Sequence, residues 1–452
     1  MFEKKVLVAG AGKSGISAAR LLLRNNAKVI LFDENKEIDV EDLNKRITDG
    51  KKSEALEIVL GELDAQIINQ CEIMVISPGI PTDADFAIQV KEAGIALWSE
   101  IELAYFFEKG CVAAITGTNG KTTTTTLVGE IIKAYNAKTI VVGNIGTPYT
   151  SFADNTDQDS ATVAEISSFQ LETIHKFKPH VSAILNITPD HLNRHYTFEN
   201  YAGCKLDITK NQTKDDYAVI NYDDEETRKL ADKIPARTIP FSRLSVLEEG
   251  VYVEDGKIVI SDADVKTEVL SLTDIKLLGT HNIENVLAAV GISYYMGVPV
   301  DIIRKVCTEF KGVEHRIEYV ATIDGVAYYN DSKGTNPDAA IKAVQAMTTS
   351  TLLIGGGYDK HSSYDEWIES FEDKIKYLVL IGETANDIEC CAKKHGFNNT
   401  VILDSLKDAV NFCHEHAVSG DAVLLSPACA SWGMFDNYEQ RGDMFKSYVH
   451  EL

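Results

Sequence analysis

Basic side chains are the under-represented class in this 452-residue chain: 44 lysines and arginines stand against 68 aspartates and glutamates, a formal charge of −24. Nucleic acid and anionic membrane surfaces repel such a chain at long range, so no partner of either kind is expected, and any anionic substrate must be met by local cationic groups. The eight cysteines include no C-x-x-C pair and no framework spacing. No apolar run is long enough to cross a bilayer. The chain opens on Lys4-Lys-Val-Leu-Val-Ala9, which reads as a strand and not as a signal peptide. Together these absences predict a reduced, soluble, cytoplasmic protein. The length exceeds what one hydrophobic core holds, and two to four domains are expected.

What is present begins with Ile115-Thr-Gly-Thr-Asn-Gly-Lys-Thr-Thr-Thr124, an apolar strand end followed by a glycine turn, a lysine and hydroxyls. The full phosphate-loop pattern G-x-x-x-x-G-K-[ST] asks for glycine at 115; Ile115 stands there, leaving a shorter G-x-x-G-K-T. Gly117, Thr118, Asn119 and Gly120 can turn backbone N–H groups toward phosphate oxygens. Lys121 brings a positive charge to the β and γ phosphates, and Thr122, followed by Thr123, offers a hydroxyl to Mg²⁺ at a helix N-terminus. A nucleoside triphosphate is expected here. Strands over 138–142, 161–166 and 181–187 then lead into Gly143-Asn-Ile-Gly-Thr-Pro148, Glu165-Ile-Ser-Ser-Phe-Gln170 and Asn186-Ile-Thr-Pro-Asp-His191. Parallel strands would deliver these polar groups to the edge that carries Lys121. Glu165 is expected as a second Mg²⁺ ligand beside Thr122, and His191 beside Asp190 as a further one.

Upstream, strands near 4–9, 28–32, 57–60 and 72–76 alternate with helical stripes, predicting a doubly wound α/β unit. Gly10-Ala-Gly-Lys-Ser-Gly15 is a full G-x-G-x-x-G, and Asp33 ends the second strand. This fingerprint fits the cofactor of an NAD-dependent dehydrogenase; it equally fits any diphosphate laid on a helix N-terminus, a uridine diphosphate among them. Ser77-Pro-Gly-Ile-Pro81 closes the fourth strand, either as a plain turn or as part of a ligand crevice. Downstream, strands near 326–330, 351–354, 376–381, 400–403 and 421–425 predict another α/β unit. Asn330-Asp-Ser-Lys-Gly-Thr-Asn-Pro337 runs into a helix with Asn336 as cap and Pro337 in its first turn. Capping accounts for Asn336 and Pro337 but not for Asp331 and Lys333.

The motifs G-T-N-G-K-T-T at 117–123, E-I-S-S-F-Q at 165–170, T-P-D-H-L at 188–192, G-x-H-N-x-x-N at 279–285 and H-R at 315–316 resemble the Mur ligase family of ATP-dependent amide-forming ligases. N-D-S-K-G-T-N at 330–336 and L-S-P-A-C-A-S at 425–431 resemble its D-glutamate-adding branch. The resemblance implies three α/β domains. Rossmann-like units over 1–96 (UDP-substrate binding) and 313–452 (amino-acid binding) would flank a P-loop ATPase-type domain over 97–312. It implies ATP, two Mg²⁺ sites, and UDP-N-acetylmuramoyl-L-alanine and D-glutamate as substrates of a monomeric enzyme of peptidoglycan synthesis. It further assigns His281, Asn282, Asn285, Arg316, Asp331 and Lys333 to ATP. Gly12, Lys13, Ser14, Gly15, Asp33, Ser77, Pro78, Gly79, Asn144, Ser167 and Gln170 fall to the UDP substrate, and Thr335, Lys360, Ser431 and Tyr438 to D-glutamate. Lys121, Glu165, His191 and Lys205 are the implied catalytic set, with Lys205 a carbamate that binds the second metal. Two positions depart from the family: Asn193 replaces the second acid of D-H-L-D, and Asn35 stands where related enzymes can carry an arginine. A folate polyglutamate ligase, which should lack the Gly10–Gly15 unit, and a non-enzymatic nucleotide switch are the other readings.

Overall fold

Apolar runs that alternate with amphipathic stretches build three sheets. The computed structural model of the protein describes residues 3–51, 53–144, 146–359 and 362–452. The first sheet holds Lys5–Ala9 (β1), Val29–Asp33 (β2), Leu56–Leu60 (β3), Cys71–Ile76 (β4) and Ala96–Ser99 (β5), all parallel in the order β3-β2-β1-β4-β5. Val6, Leu7, Val8 and Ala9 are buried, as a parallel strand covered on both faces requires. The order reverses between β1 and β4, which opens a crevice at their carboxyl ends. β5 had no counterpart in the sequence reading, and it carries this sheet to Ser99, past the expected division at 96.

The second sheet holds Cys111–Thr116 (β6), Thr139–Gly143 (β7), Ala161–Glu165 (β8), Val181–Ile184 (β9), Tyr217–Asn221 (β10), Arg237–Ser242 (β11), Gly250–Glu254 (β12), Lys257–Asp262 (β13) and Val265–Ser271 (β14). Its order is β14-β13-β12-β11-β10-β9-β6-β8-β7. From β7 to β12 the pairing is parallel; β12, β13 and β14 form an antiparallel meander. Asp255 and Gly256 join β12 to β13 with φ of 50° and 72°, the two positive angles of a tight hairpin turn. In the third sheet, Glu318–Ile323 (β15), Val326–Asn330 (β16), Thr351–Gly355 (β17), Ile375–Leu380 (β18), Thr400–Ile402 (β19) and Ala422–Leu425 (β20) take the order β15-β16-β20-β17-β18-β19, and only β15 is antiparallel.

The chain divides into two compact units, Met1–Asp274 with Glu284–Thr308, and Ile275–Ile283 with Glu309–Leu452. In the first unit the helix Lys13–Arg24 is stitched to the segment after β7: Ser17 and Ser151 hydroxyls meet at 2.8 Å, and Arg24 pairs with Asp154 at 2.8 Å. One apolar core, containing Val6 and Leu31 together with Tyr149 and Phe177, serves both of its sheets. No helix among the described residues is long and apolar enough to cross a membrane.

Candidate active site

β6 ends at Thr116, and the chain turns through Gly117–Gly120 into the helix Lys121–Tyr135. The turn needs glycine at 120, where φ is 85° and a Cβ would lie 2.2 Å from Asn285 Oδ1. The loop is held from the neighbouring strand end. Thr118 N donates to Asn186 O (2.9 Å), Asn119 N to Asn186 Oδ1 (2.8 Å), and Asn186 Nδ2 returns to Asn119 O (3.1 Å). The Thr118 hydroxyl meets Tyr201 OH at 3.0 Å. Thr124 donates to Asn285 Oδ1 at 3.4 Å, placing Asn285 behind the loop. The hydroxyls of Thr122 and Thr123 open the helix and are buried.

Lys121 Nζ donates to Gly117 O and Thr118 O, both at 2.8 Å, and Lys205 Nζ donates to the same Gly117 O at 2.8 Å. Lys205 is 1% exposed, and its ammonium lies 4.6 Å from the Tyr201 ring centre. Burial, reinforced by the charge of Lys121, pushes its pKa well below the usual lysine range; Asp190 opposes the shift. At the end of β8, Glu165 Oε1 accepts from Asn144 Nδ2 at 2.8 Å, while its buried Oε2 has no hydrogen-bond partner among the described residues. His191 stands in the left-handed region at φ 52°, half exposed, its ring 4.9 Å from Phe169 and 6.5 Å from Tyr201. The strands β6, β7, β8 and β9 thus bring their polar ends to one edge, as the parallel pattern predicts.

In the crevice of the first sheet, Asp33 holds its own loop: Oδ2 accepts from Ala11 N (2.7 Å) and Oδ1 from Asn35 N (2.9 Å). Asn35 therefore contributes its backbone here. Gly12, Lys13, Ser14 and Gly15 begin the helix Lys13–Arg24, and Lys13 Nζ reaches Gly146 O at 2.9 Å. Pro78 and Gly79 occupy the centre of a turn closed by Ile80 N to Ser77 O at 3.0 Å; the buried Ser77 Oγ lacks a hydrogen-bond partner among the described residues. A cavity of about 250 Å³ is lined by Gly10, Gly12, Asp33 and Ser77 over an apolar floor of Phe32, Ile80 and Phe86. Ser167 and Gln170 are engaged with each other, Gln170 Oε1 accepting from Ser167 N at 2.9 Å to cap the turn Ser168–Leu171. A larger depression of about 460 Å³ lies by Lys91 and His175, but these already bond Thr82 O and Leu97 O at 2.7 Å.

In the second unit, Asp331 is buried, accepting from Ser426 Oγ (2.7 Å) and Ile317 N (3.3 Å). Burial raises its carboxyl pKa to about 7 against the lowering effects of Ser426 and Arg316. His281 is pushed down to about 4 by burial and by the charges of Lys342 and Arg316, so its ring is neutral at pH 7. Asn282 Nδ2 donates to Leu278 O at 2.7 Å. Lys333 Nζ lies 5.6 Å from the Tyr438 ring centre, Thr335 N bonds Lys333 O at 2.9 Å, and Ser431 is buried. Lys360 lies outside the described residues.

Three residues with a part in this geometry had no role in the sequence reading. Asn186 had appeared only as part of a strand-end cluster and Tyr201 only as the start of the segment leading to Lys205. Arg441 gave no signal at all. It is 1% exposed and donates Nε to Ser332 Oγ (2.9 Å), Nη2 to Ser332 O (2.8 Å) and its terminal nitrogens to Cys429 O (3.3 Å). Ser332 Oγ in turn donates to Tyr438 O at 2.8 Å. The loops that carry Thr335 and Ser431 are thereby tied to the start of the helix Tyr438–His450.

Comparison with known proteins covers nearly the whole chain. Residues 4–99 match the Mur ligase MurD-like N-terminal domain, 115–293 the Mur ligase middle domain, and 315–429 the Mur ligase, glutamate ligase domain. The UDP-N-acetylmuramoylalanine–D-glutamate ligase of Lachnoclostridium phytofermentans is 55% identical over 449 residues, covering 99% of this chain and 98% of the relative. The enzyme of that name from Clostridioides difficile is 46% identical, covering 99% of each chain. Among solved structures, MurF ligase of Thermotoga maritima in complex with ADP superposes with a TM-score of 0.59 at 18% identity, covering 100% of this chain and 96% of that one. UDP-N-acetylmuramate-alanine ligase MurC of the same organism gives 0.58 at 16% identity, covering 99% and 100%. At such identities the structures show a shared fold.

Proposed function

The chain belongs to the Mur ligase family, and we propose that it joins the amine of D-glutamate to the alanyl carboxylate of UDP-N-acetylmuramoyl-L-alanine while ATP becomes ADP and phosphate. What carries this reading is a full-length relative of that name at 55% identity, in a chain whose phosphate loop, Glu165 and Lys205 meet at one sheet edge. A carboxylate is a poor electrophile. Transfer of the γ-phosphoryl group to the alanyl carboxylate makes an acyl phosphate, which the D-glutamate amine attacks with loss of phosphate. Lys121 neutralises charge that spreads over the phosphoryl oxygens in a loose transition state, and the N–H groups of the Gly117–Gly120 turn hold the phosphates. No side-chain nucleophile is required; positioning supplies the rate.

The partnerless oxygen of Glu165 fits a cation ligand. Lys205 as an ammonium does not, and as a carbamate it does; we take it in that form. Mg²⁺ held by Thr122 and Glu165, with a second ion at His191 and Lys205, would supply charge neutralisation at the transferred group. We assign the UDP substrate to the crevice through Gly12, Lys13, Ser14, Gly15, Asp33 and the Ser77–Gly79 turn, with Asn144, Ser167 and Gln170 contributing from the second sheet. ATP is further assigned to His281, Asn282, Asn285, Arg316, Asp331 and Lys333, and D-glutamate to Thr335, Lys360, Ser431 and Tyr438. The corresponding divisions are 1–99, 100–312 and 313–452, the first moved from 96 so that β5 stays with its sheet, in a monomeric cytoplasmic enzyme.

The test is ADP release with UDP-N-acetylmuramoyl-L-alanine against a panel of amino acids. Sustained release is expected only with both substrates, D-glutamate being strongly preferred over L-glutamate. Equal rates with lysine or diaminopimelate would overturn the substrate assignment, and steady reduction of NAD would overturn the reaction class.

A further inference from the structure

The second unit carries a cluster of metal-binding side chains that the ligase reaction does not use. Asp365 and Glu369 stand four positions apart on the helix Asp365–Glu369, and Cys391 and His395 stand four apart at the end of the helix Ala385–Lys394. Residues so spaced share one helix face. His395 Nε2 lies 2.8 Å from Asp365 Oδ1, and Cys391 Sγ lies 3.7 Å from the same oxygen. The donor atoms of Asp365, Cys391 and His395 all fall within 4.8 Å of one another. The other imidazole nitrogen, His395 Nδ1, faces Glu369 Oε1 at 3.5 Å, and Ser363 Oγ donates to Asp365 Oδ2 at 2.6 Å. Asp365 and His395 thus each have an orienting neighbour of the kind that surrounds protein-bound metals. The other grouping of this type among the described residues, Glu314 with His315 and Asp443, differs in having the Lys446 ammonium 3.2 Å from Asp443.

We propose that Cys391, His395 and Asp365 form a Zn²⁺ site, with Glu369 orienting the histidine and a solvent molecule completing four-coordination. One thiolate, one imidazole and one carboxylate form a donor set of borderline softness, which suits Zn²⁺ and disfavours Mg²⁺ or Ca²⁺. Binding replaces the His395–Asp365 hydrogen bond with two metal bonds. The Cys391 thiol proton leaves to solvent and Nε2 gives up its proton, so that the imidazole is left neutral with its one proton on Nδ1, toward Glu369. No electron transfer is involved. The ion would tie the helix Asp365–Glu369 to the helix Ala385–Lys394.

Co²⁺ titrated into the full chain after chelator treatment reads the site directly. A saturable thiolate-to-cobalt charge-transfer band with tetrahedral ligand-field absorption is expected, reversed by Zn²⁺ and unaffected by Mg²⁺. Cys391→Ser removes the charge-transfer band, whereas Cys390→Ser, at the adjacent exposed cysteine, retains it. Glu369→Gln weakens binding roughly 10–100-fold, as loss of an orienting partner does. No cobalt–thiolate band, or a band that survives Cys391→Ser, refutes the site. If Cys391→Ser does not fold, His395→Gln decides: a loss of affinity of at least about tenfold upholds the site, and unchanged affinity refutes it.

Discussion

Lys205 owes its character to its surroundings and not to its neighbours in the chain. In Tyr201-Ala-Gly-Cys-Lys205 it reads as an ordinary helix lysine, yet it is buried with its ammonium on Gly117 O and the Lys121 charge close by. A buried cation beside another cation is costly, and a neutral amine is the form that reacts with carbon dioxide. Lys205→Ala is expected to lose most turnover while still binding ATP. Formate or acetate should restore part of the activity by occupying the vacated carboxylate position, and methylamine should not. Full activity of this variant without added carboxylate would return Lys205 to a structural role. Lys121→Ala removes the charge we assign to the transition state, and turnover should fall about 10²–10³-fold with the fold retained by circular dichroism; near-normal turnover would deny the loop its catalytic part.

At the scale of elements, the helix Lys13–Arg24 depends on one close approach. A Cβ at Gly15 would sit 1.8 Å from Gly10 O, and backbone cannot yield as a flexible side chain can. Gly15→Ala must push the helix from β1, with an expected destabilisation of about 1–3 kcal/mol and weakened binding of UDP-N-acetylmuramoyl-L-alanine. Urea denaturation and calorimetric titration measure the two effects, and an unshifted urea midpoint would contradict the packing described. The second sheet shows where element reading fell short. The sequence reading placed no strand between 187 and 326, where β10 to β15 lie. Asp255-Gly256, between the apolar runs of β12 and β13, is the local turn signal that could have found the hairpin.

For the whole molecule, the buried carboxyl of Asp331 links stability to pH. Its folded pKa of about 7 exceeds the ordinary carboxyl value of 3.8, so between these limits the folded chain holds a proton that the unfolded chain has released. Stability therefore falls as pH rises from about 4 to about 7, by at most about 1.4 kcal/mol per pH unit from this group, and levels off above. Asp331→Asn removes that slope. Chemical denaturation across this range should show wild type losing stability relative to the variant as pH increases, and parallel curves would show that Asp331 ionises normally.

The sequence by itself determined most of the strand and helix alternation before 187 and after 326, the phosphate loop and the cap at Asn336-Pro337, whose Asn336 Oδ1 accepts Ala339 N at 2.9 Å. These depend on apolar period, glycine freedom and side-chain reach over a few residues, all local properties. The tertiary structure alone decided which polar groups are buried and what they meet. Lys205 finds its carbonyl 88 positions away, and Arg441 reaches Ser332 across 109. Asp33 was legible as a strand-end acid, but only the fold shows both its oxygens engaged by the backbone of its own crevice. Burial, pairing and the pKa shifts that follow arise from chain segments brought together by folding, and no local pattern records which segments those are.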